Sequence, residues 1–242
     1  MNAIVTENLT KKYKDTVAVD RVSLSVREGE LFSLLGVNGA GKTTLIKMLT
    51  TLTAVTDGKA FVLNNEVSEN PSAVKEVVAL SPQENAIAPL LSAEENLDFI
   101  LSINGVKGKR AEEKKRELSS LIDLKAVGKK RAGKLSGGFK RRLSLAMALA
   151  LEPKVLFLDE PTLGLDILAR KELWELIEGL KGKITIILTT HYLEEAEALS
   201  DRVGIMKEGK LLAVGTVEEM KTMTNCERFD DAFIEIVKGE RK

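Results

Sequence analysis

Leu31-Phe32-Ser33-Leu34-Leu35-Gly36-Val37-Asn38-Gly39-Ala40-Gly41-Lys42-Thr43 is the stretch from which the rest of the chain can be read. A mostly apolar run that stops at a glycine cluster is the pattern of a strand covered on both faces. The cluster fits G-x-x-x-x-G-K-[ST], with a strand before it and a predicted helix over 41–51 behind it, the context this motif requires. Its glycines let the main chain wrap a phosphate with successive N–H groups pointing inward, and the helix N-terminus adds about half a positive charge. Gly36, Asn38, Gly39, Ala40 and Gly41 make the wrap. Lys42 brings a full charge toward the β- and γ-phosphates, the Thr43 hydroxyl ligates Mg²⁺, and Thr44 is placed to donate to the α-phosphate. The plainer reading is a Gly-rich turn that only caps a helix. Chance seldom matches all the fixed positions, and the flanking elements make it rarer still.

Such a loop needs an acidic partner at the carboxyl end of a neighbouring parallel strand, where ligands gather in open α/β sheets. Val155-Leu156-Phe157-Leu158-Asp159-Glu160 supplies one. Asp159 emerges at the strand's end to hold Mg²⁺ through water, and Glu160 follows where a carboxylate can polarise an attacking water. Taken without the loop, both would be ordinary residues before Pro161. His191, the single histidine, closes the predicted strand 184–189 and leads into a helix. A lone histidine is commonly structural, but this one shares a rim with Lys42 and Asp159, which favours a γ-phosphate contact. Leu135-Ser136-Gly137-Gly138 opens another predicted helix, 139–151, with glycines that permit close approach of an anion. A plain serine N-cap would need only Ser136 and leaves the second glycine unexplained.

Around these motifs, 17–26 reads as two short half-buried runs, 59–63 as a strand, and a helix–strand pair reaches Leu80. Residues 92–151 turn helical. Ser92 with Glu95 is a capping box, and 109–124 is a charged helix with Leu118, Leu121 and Ile122 in one stripe. Strands return at 155–158, 184–189 and 203–206, alternating with helices at 167–180 and 192–200. Strand–helix alternation broken by a helical insert predicts an α/β fold. The 242 residues hold 36 Lys+Arg against 36 Asp+Glu and are 44% hydrophobic, which excludes disorder and a highly basic nucleic-acid binder. One cysteine, Cys226, makes no intrachain disulfide and fits a reducing compartment. No apolar stretch approaches the ~20 residues of a membrane span, and residues 1–8 lack the features of a signal peptide.

The ordered set of phosphate loop, Gln83 in Leu80-Ser-Pro-Gln83-Glu84, Leu-Ser-Gly-Gly, Asp159-Glu160, Leu165-Asp166 and His191 resembles the nucleotide-binding subunit of ABC (ATP-binding cassette) transporters over essentially the whole chain. That resemblance implies a P-loop ATPase core with an N-terminal antiparallel β subdomain and an inserted helical subdomain. Residues 1–90 and 152–224 would be the core, 91–151 the helical signature subdomain, and 225–242 a tail with a short helix. It also implies that Tyr13 stacks on adenine, that Gln83 touches Mg²⁺ and the lytic water, and that Asp166 makes a dimer contact. Taken alone, Tyr13 reads as a hairpin tyrosine, Gln83 as a surface loop residue and Asp166 as an N-cap. Ser136, Gly137 and Gly138 would reach a second subunit's ATP in a head-to-tail dimer, so that a lone chain binds ATP and hydrolyses it poorly. Residues 84–103 would receive a transmembrane permease subunit, placing the protein in the cytoplasm on the inner face of the cell membrane.

Phe139 stands where the family's signature has glutamine and, unable to hydrogen-bond, is given no ATP role. Phe139 followed by Lys140-Arg141-Arg142 resembles the drug-resistance and lipid exporter branch, as do Thr190-His191-Tyr-Leu-Glu-Glu-Ala-Glu and Phe229-Asp-Asp-Ala-Phe233. Between Lys125 and Arg142 lie eight Lys/Arg and no acid, a run that reads as a solvated face, part of it raising the local potential beside the signature. The expected function is ATP hydrolysis driving a membrane exporter, with no nucleic-acid partner. The rivals are a soluble ABC-type ATPase of DNA repair or translation, an importer energy subunit, and a P-loop kinase, which would give Ser136–Gly138 no purpose.

Overall fold

The computed structural model describes residues 1–239. The chain opens with a long antiparallel hairpin of β1 (Asn2–Tyr13) and β2 (Thr16–Arg27), then passes through β3 (Leu31–Leu35) into α1 (Lys42–Leu49). β4 (Asp57–Val62), β5 (Asn65–Glu66), α2 (Pro71–Val77) and β6 (Val78–Ser81) follow. Three helices come next, α3 (Ala93–Ile103), α4 (Gly108–Leu121) and α5 (Gly137–Leu149). The remainder is β7 (Val155–Asp159), α6 (Ile167–Glu178), β8 (Thr185–Thr190), α7 (Leu193–Leu199), β9 (Arg202–Lys207), β10 (Lys210–Gly215), α8 (Val217–Thr224) and α9 (Phe229–Lys238).

Where two runs are expected over 17–26, β2 is one strand. Its buried set shifts from Val19 to Val22, Leu24 and Val26, and Arg21 between them has a left-handed φ of 47°. The ladder to β1 is irregular in the same region, which flips the inward parity and hides the strand's continuity from a period-2 reading. β1 and β2 join β4 and β5 in an antiparallel sheet of order β2-β1-β4-β5.

The second sheet has the order β10-β9-β3-β8-β7-β6. Every pairing from β9 across to β6 is parallel, and β10 closes one edge antiparallel. β3, β7 and β8 are buried along their whole length, as the unbroken apolar runs require. Phe157 packs with Phe32, Leu45 and Met48 in one core. A second core joins Leu97 and Leu101 of α3, Leu118 of α4 and Leu143 of α5 to Leu156, Leu158 and Ile186 of the sheet.

The capping box at Ser92 and Glu95 forms in full. Thr216 and Glu219 make a second one at the start of α8, a signal of the same kind in a segment the sequence reading leaves unassigned. The charged helix ends at Leu121, and a short 3₁₀ turn at Leu124–Ala126 replaces its expected last residues. α9 falls in the tail expected over 225–242, of which residues 240–242 lie outside those described. Among the described residues, no helix is long and apolar enough to cross a membrane.

Candidate functional site

β8 runs between β3 and β7, and the register sets Leu35 beside Thr190 and Thr189 beside Asp159. Three strands therefore finish level, and the residues just past their ends meet on one rim. The loop after β3 turns into α1 at Gly41, whose φ is 100°. A Cβ there would stand 2.4 Å from the carbonyl oxygen of Ala18, so only glycine lets the loop pass this close to β2. No side chain caps α1, which leaves its first N–H groups facing the loop.

Asn38, Gly39, Ala40, Gly41, Lys42, Thr43, Thr44, Gln83, Glu160 and His191 all line one cavity of about 600 Å³. Thr16–Ala18, Leu163 and Glu208–Gly209 complete its wall, a contribution no motif announces. Lys42 is buried and donates through Nζ to the carbonyls of Gly36 (2.6 Å) and Val37 (3.3 Å), with Glu160 Oε1 at 3.5 Å. Burial pulls the Lys42 ammonium below its ordinary pKa, and the Glu160 and Asp159 carboxylates oppose that pull. The other Glu160 oxygen, Oε2, lies 2.9 Å from His191 Nδ1. Thr43 Oγ1 donates to Asp159 Oδ1 at 3.1 Å.

Two residues that sequence reasoning passed over hold these groups. The Thr189 hydroxyl donates to Asp159 Oδ1 (2.6 Å) and accepts from the Glu160 N–H (3.0 Å), bridging the two acids. A threonine near the end of a buried strand carries no motif, and only the strand register exposes its position. Arg141 belongs to the basic run 125–142, but it is 4% exposed and points inward while Lys140 and Arg142 bond Gly133 and Glu172 nearer the surface. That run is therefore not a single solvated face.

The remaining predicted residues lie outside the cavity. Tyr13 is 45% exposed at the end of the β1–β2 hairpin, opposite Thr16, with Lys11 Nζ 4.9 Å from its ring centre. Ser136 caps α5, accepting from the Phe139 N–H at 3.2 Å, and Asp166 caps α6, accepting from the Ala169 N–H at 2.9 Å. A Cβ on Gly138 would come 2.6 Å from the Ala169 Cβ, so close packing of α5 on α6 accounts for the second glycine. Gly137 is exposed, with nothing nearer its Cβ direction than Leu165 Cδ2 at 3.9 Å. It is Gly137, not Gly138, that packing within the chain leaves unexplained. Phe139 is buried among the apolar side chains of the helical segment, which answers why an apolar residue stands there.

A family model described as ABC transporter matches residues 19–163. The chain belongs to the ABC transporter family. It is the family's ATP-binding, ATP-hydrolysing component. It is 40% identical over 243 residues to the Doxorubicin resistance ATP-binding protein DrrA of Mycobacterium tuberculosis, covering 99% of this chain and 72% of that one. It is 39% identical over 240 residues to the Daunorubicin resistance ATP-binding protein DrrA2 of Streptomyces coeruleorubidus, covering 99% and 73%. Among solved structures, an ATP-binding subunit of an ABC transporter superposes with a TM-score of 0.86 at 27% identity, covering 98% of this ABC protein and all of the other. The expected P-loop ATPase architecture and the likeness to drug-resistance ABC proteins are both borne out.

Proposed function

We infer that this chain is the energy-supplying subunit of an exporter and works as a head-to-tail pair of cassettes beside a separate transmembrane permease. Residues 1–90 and 152–224 act as the ATP-binding core, 91–151 as the signature subdomain, and 225–242 as the tail. The stretch Gly36–Thr44 holds the triphosphate, and Tyr13 stacks on the adenine. Glu160 takes a proton from the attacking water, with Gln83 orienting that water. Lys42 and His191, with Ser136 and Gly138 of the second copy, stabilise the charge on the leaving γ-phosphoryl group. Asp166 contacts the second copy.

Mg²⁺ fits the donor set. Among the described residues no cluster of three or more His, Cys, Asp or Glu could hold a metal by itself. Mg²⁺ asks for less, one or two protein oxygens together with phosphates and water. The Thr43 hydroxyl and the Asp159 carboxylate offer hard oxygens at the loop's edge, with Gln83 alongside. Bound there, Mg²⁺ would neutralise charge on the β- and γ-phosphates.

One observation carries the paired reading. The cavity that gathers Lys42, Glu160 and His191 is not lined by Ser136 or Gly137, and both of these are exposed on the same chain. A second copy would bring the two halves together. Export rests on the likeness to the doxorubicin and daunorubicin resistance ATP-binding proteins, and work beside a permease puts the chain on the cytoplasmic face of the membrane. Sedimentation of a Glu160→Gln chain with Mg²⁺ and ATP tests the pairing: an ATP-dependent dimer is expected, and a monomer at every ATP concentration overturns it.

A further inference from the structure

Glu160 has a backbone conformation that its residue type disfavours, with φ at 47°. Left-handed backbone costs a non-glycine residue about 1–2 kcal/mol, so the surroundings must hold it. They hold both of its peptide groups. The Glu160 N–H meets the Thr189 carbonyl (3.1 Å) and hydroxyl (3.0 Å). The Glu160 carbonyl accepts from Arg141 Nη2 at 2.5 Å and from the Leu163 N–H at 3.2 Å.

Arg141 does more than that. A guanidinium has five N–H donors in a rigid plane, and here they reach five main-chain carbonyls. Nε donates to Pro161 (2.5 Å), Nη1 to Pro82 (2.6 Å) and Gln83 (3.0 Å), and Nη2 to Asp159 (3.3 Å) as well as Glu160. A buried cation is costly even with its donors satisfied, and the nearby Asp159, Glu195 and Glu160 carboxylates offset only part of that cost. The five carbonyls belong to the two segments that present Gln83 and Glu160 to the cavity. Arg141 itself sits in the first turns of α5, about 6 Å along the axis from Gly137.

We propose that Arg141 is a positioning residue for ATP hydrolysis: it pins the Glu160 backbone in its left-handed conformation and ties the Gln83 loop to the same point, so that both follow the start of α5. The proposal rests on the assignment of Glu160 as the base. Engagement of Ser136 and Gly137 by a second copy then bears on the same rigid turns that carry Arg141. Turnover becomes sensitive to pairing through a connection inside each chain.

The test is steady-state ATPase kinetics of full-length chains carrying Arg141→Gln or Arg141→Lys, with ATP affinity measured by calorimetry on the same samples. Arg141→Gln should lose about tenfold or more in kcat while KM and ATP affinity stay within about twofold, as expected when only transition-state interactions are lost. Arg141→Lys, with fewer and less directed donors, should recover part of the loss. In a Glu160→Gln background, Arg141→Gln should lower the residual turnover by less than about twofold, because residues acting through one group are not additive. A kcat within twofold of the unsubstituted chain overturns the proposal, as does a parallel rise in KM or a full multiplicative loss in the Glu160→Gln background. If Arg141→Gln does not fold, an ATP-binding Arg141→Lys chain with undiminished kcat also overturns it. Failure of the base assignment looks different, because Glu160→Gln itself would then turn over ATP normally.

Discussion

Glu160 Oε2 and His191 Nδ1 stand 2.9 Å apart although 31 positions separate the residues in sequence. They meet because β7 and β8 are adjacent parallel strands whose ends are in register at Asp159 and Thr189. With Lys42 near its other oxygen, the Glu160 carboxylate is aimed from both sides.

Replacing Glu160 by Gln keeps the side chain's size but turns one of its two acceptor oxygens into a donor and removes its charge and basicity. Turnover should fall by about 10²–10⁴-fold, the usual contribution of a positioned general base, with ATP affinity unchanged. Paired ATPase and calorimetry measurements check this.

Thr189→Val keeps the strand's shape and removes the bridge between Asp159 and Glu160. Losing a buried hydrogen-bond partner costs about 1–3 kcal/mol, which urea unfolding will register. Turnover should fall more than ATP affinity, because Asp159 and Glu160 are the groups proposed to act on the γ-phosphate side.

The two signature glycines should separate cleanly. Gly138→Ala drives a methyl into Ala169 and should destabilise the fold by about 1–3 kcal/mol, the cost of overpacking. Gly137→Ala meets open space and should leave the unfolding midpoint unchanged or slightly higher, while lowering turnover. Denaturant melts and ATPase rates on the same two proteins provide the comparison.

Glu195 offers a pH signature. It is fully buried on α7, with Trp174 Nε1 donating to Oε1 at 3.0 Å. Burial pushes its carboxyl above the ordinary range, and the Trp174 hydrogen bond with the neighbouring Thr190, Thr162 and Arg170 only partly offsets this. The folded chain therefore holds this proton to higher pH than the unfolded chain does. Its stabilising contribution is complete below the unfolded carboxylate pKa and is lost as pH rises through the raised folded value. Glu195→Gln should remove that loss, giving a stability profile flatter on the rising-pH side than the unsubstituted chain, as measured by urea melts across acidic to neutral pH.

Much of the site was legible because its chemistry is local in sequence. Gly36–Thr44 is a contiguous stretch that runs from the loop after a strand into the start of a helix, and Asp159-Glu160 and His191 each end an apolar run that reads as a buried strand. What sequence could not show was how those strands sit side by side. Thr189 becomes a bridge only through the β7–β8 register. Arg141 looked like one more cation in a basic run, since nothing in its neighbours tells which turn of α5 faces inward. The second sheet's last strand, β10, lacks a strict alternation, with Leu211, Leu212 and Ala213 all half-buried at the edge. In β2 a local shift of parity divided one strand into two apparent runs.

In the proposed pair, one chain's loop and another chain's signature make a single working site, and complementation between two crippled chains reads this out. Lys42→Ala removes the loop's charge but leaves Ser136–Gly138 intact, whereas Gly137→Asp does the reverse. Each variant alone should be nearly inactive. Mixed, they should recover ATP turnover well above the sum of the separate rates, increasing with the concentration of either partner. A mixture that remains at that sum, or a Gly137→Asp chain that hydrolyses ATP normally alone, would contradict the shared site.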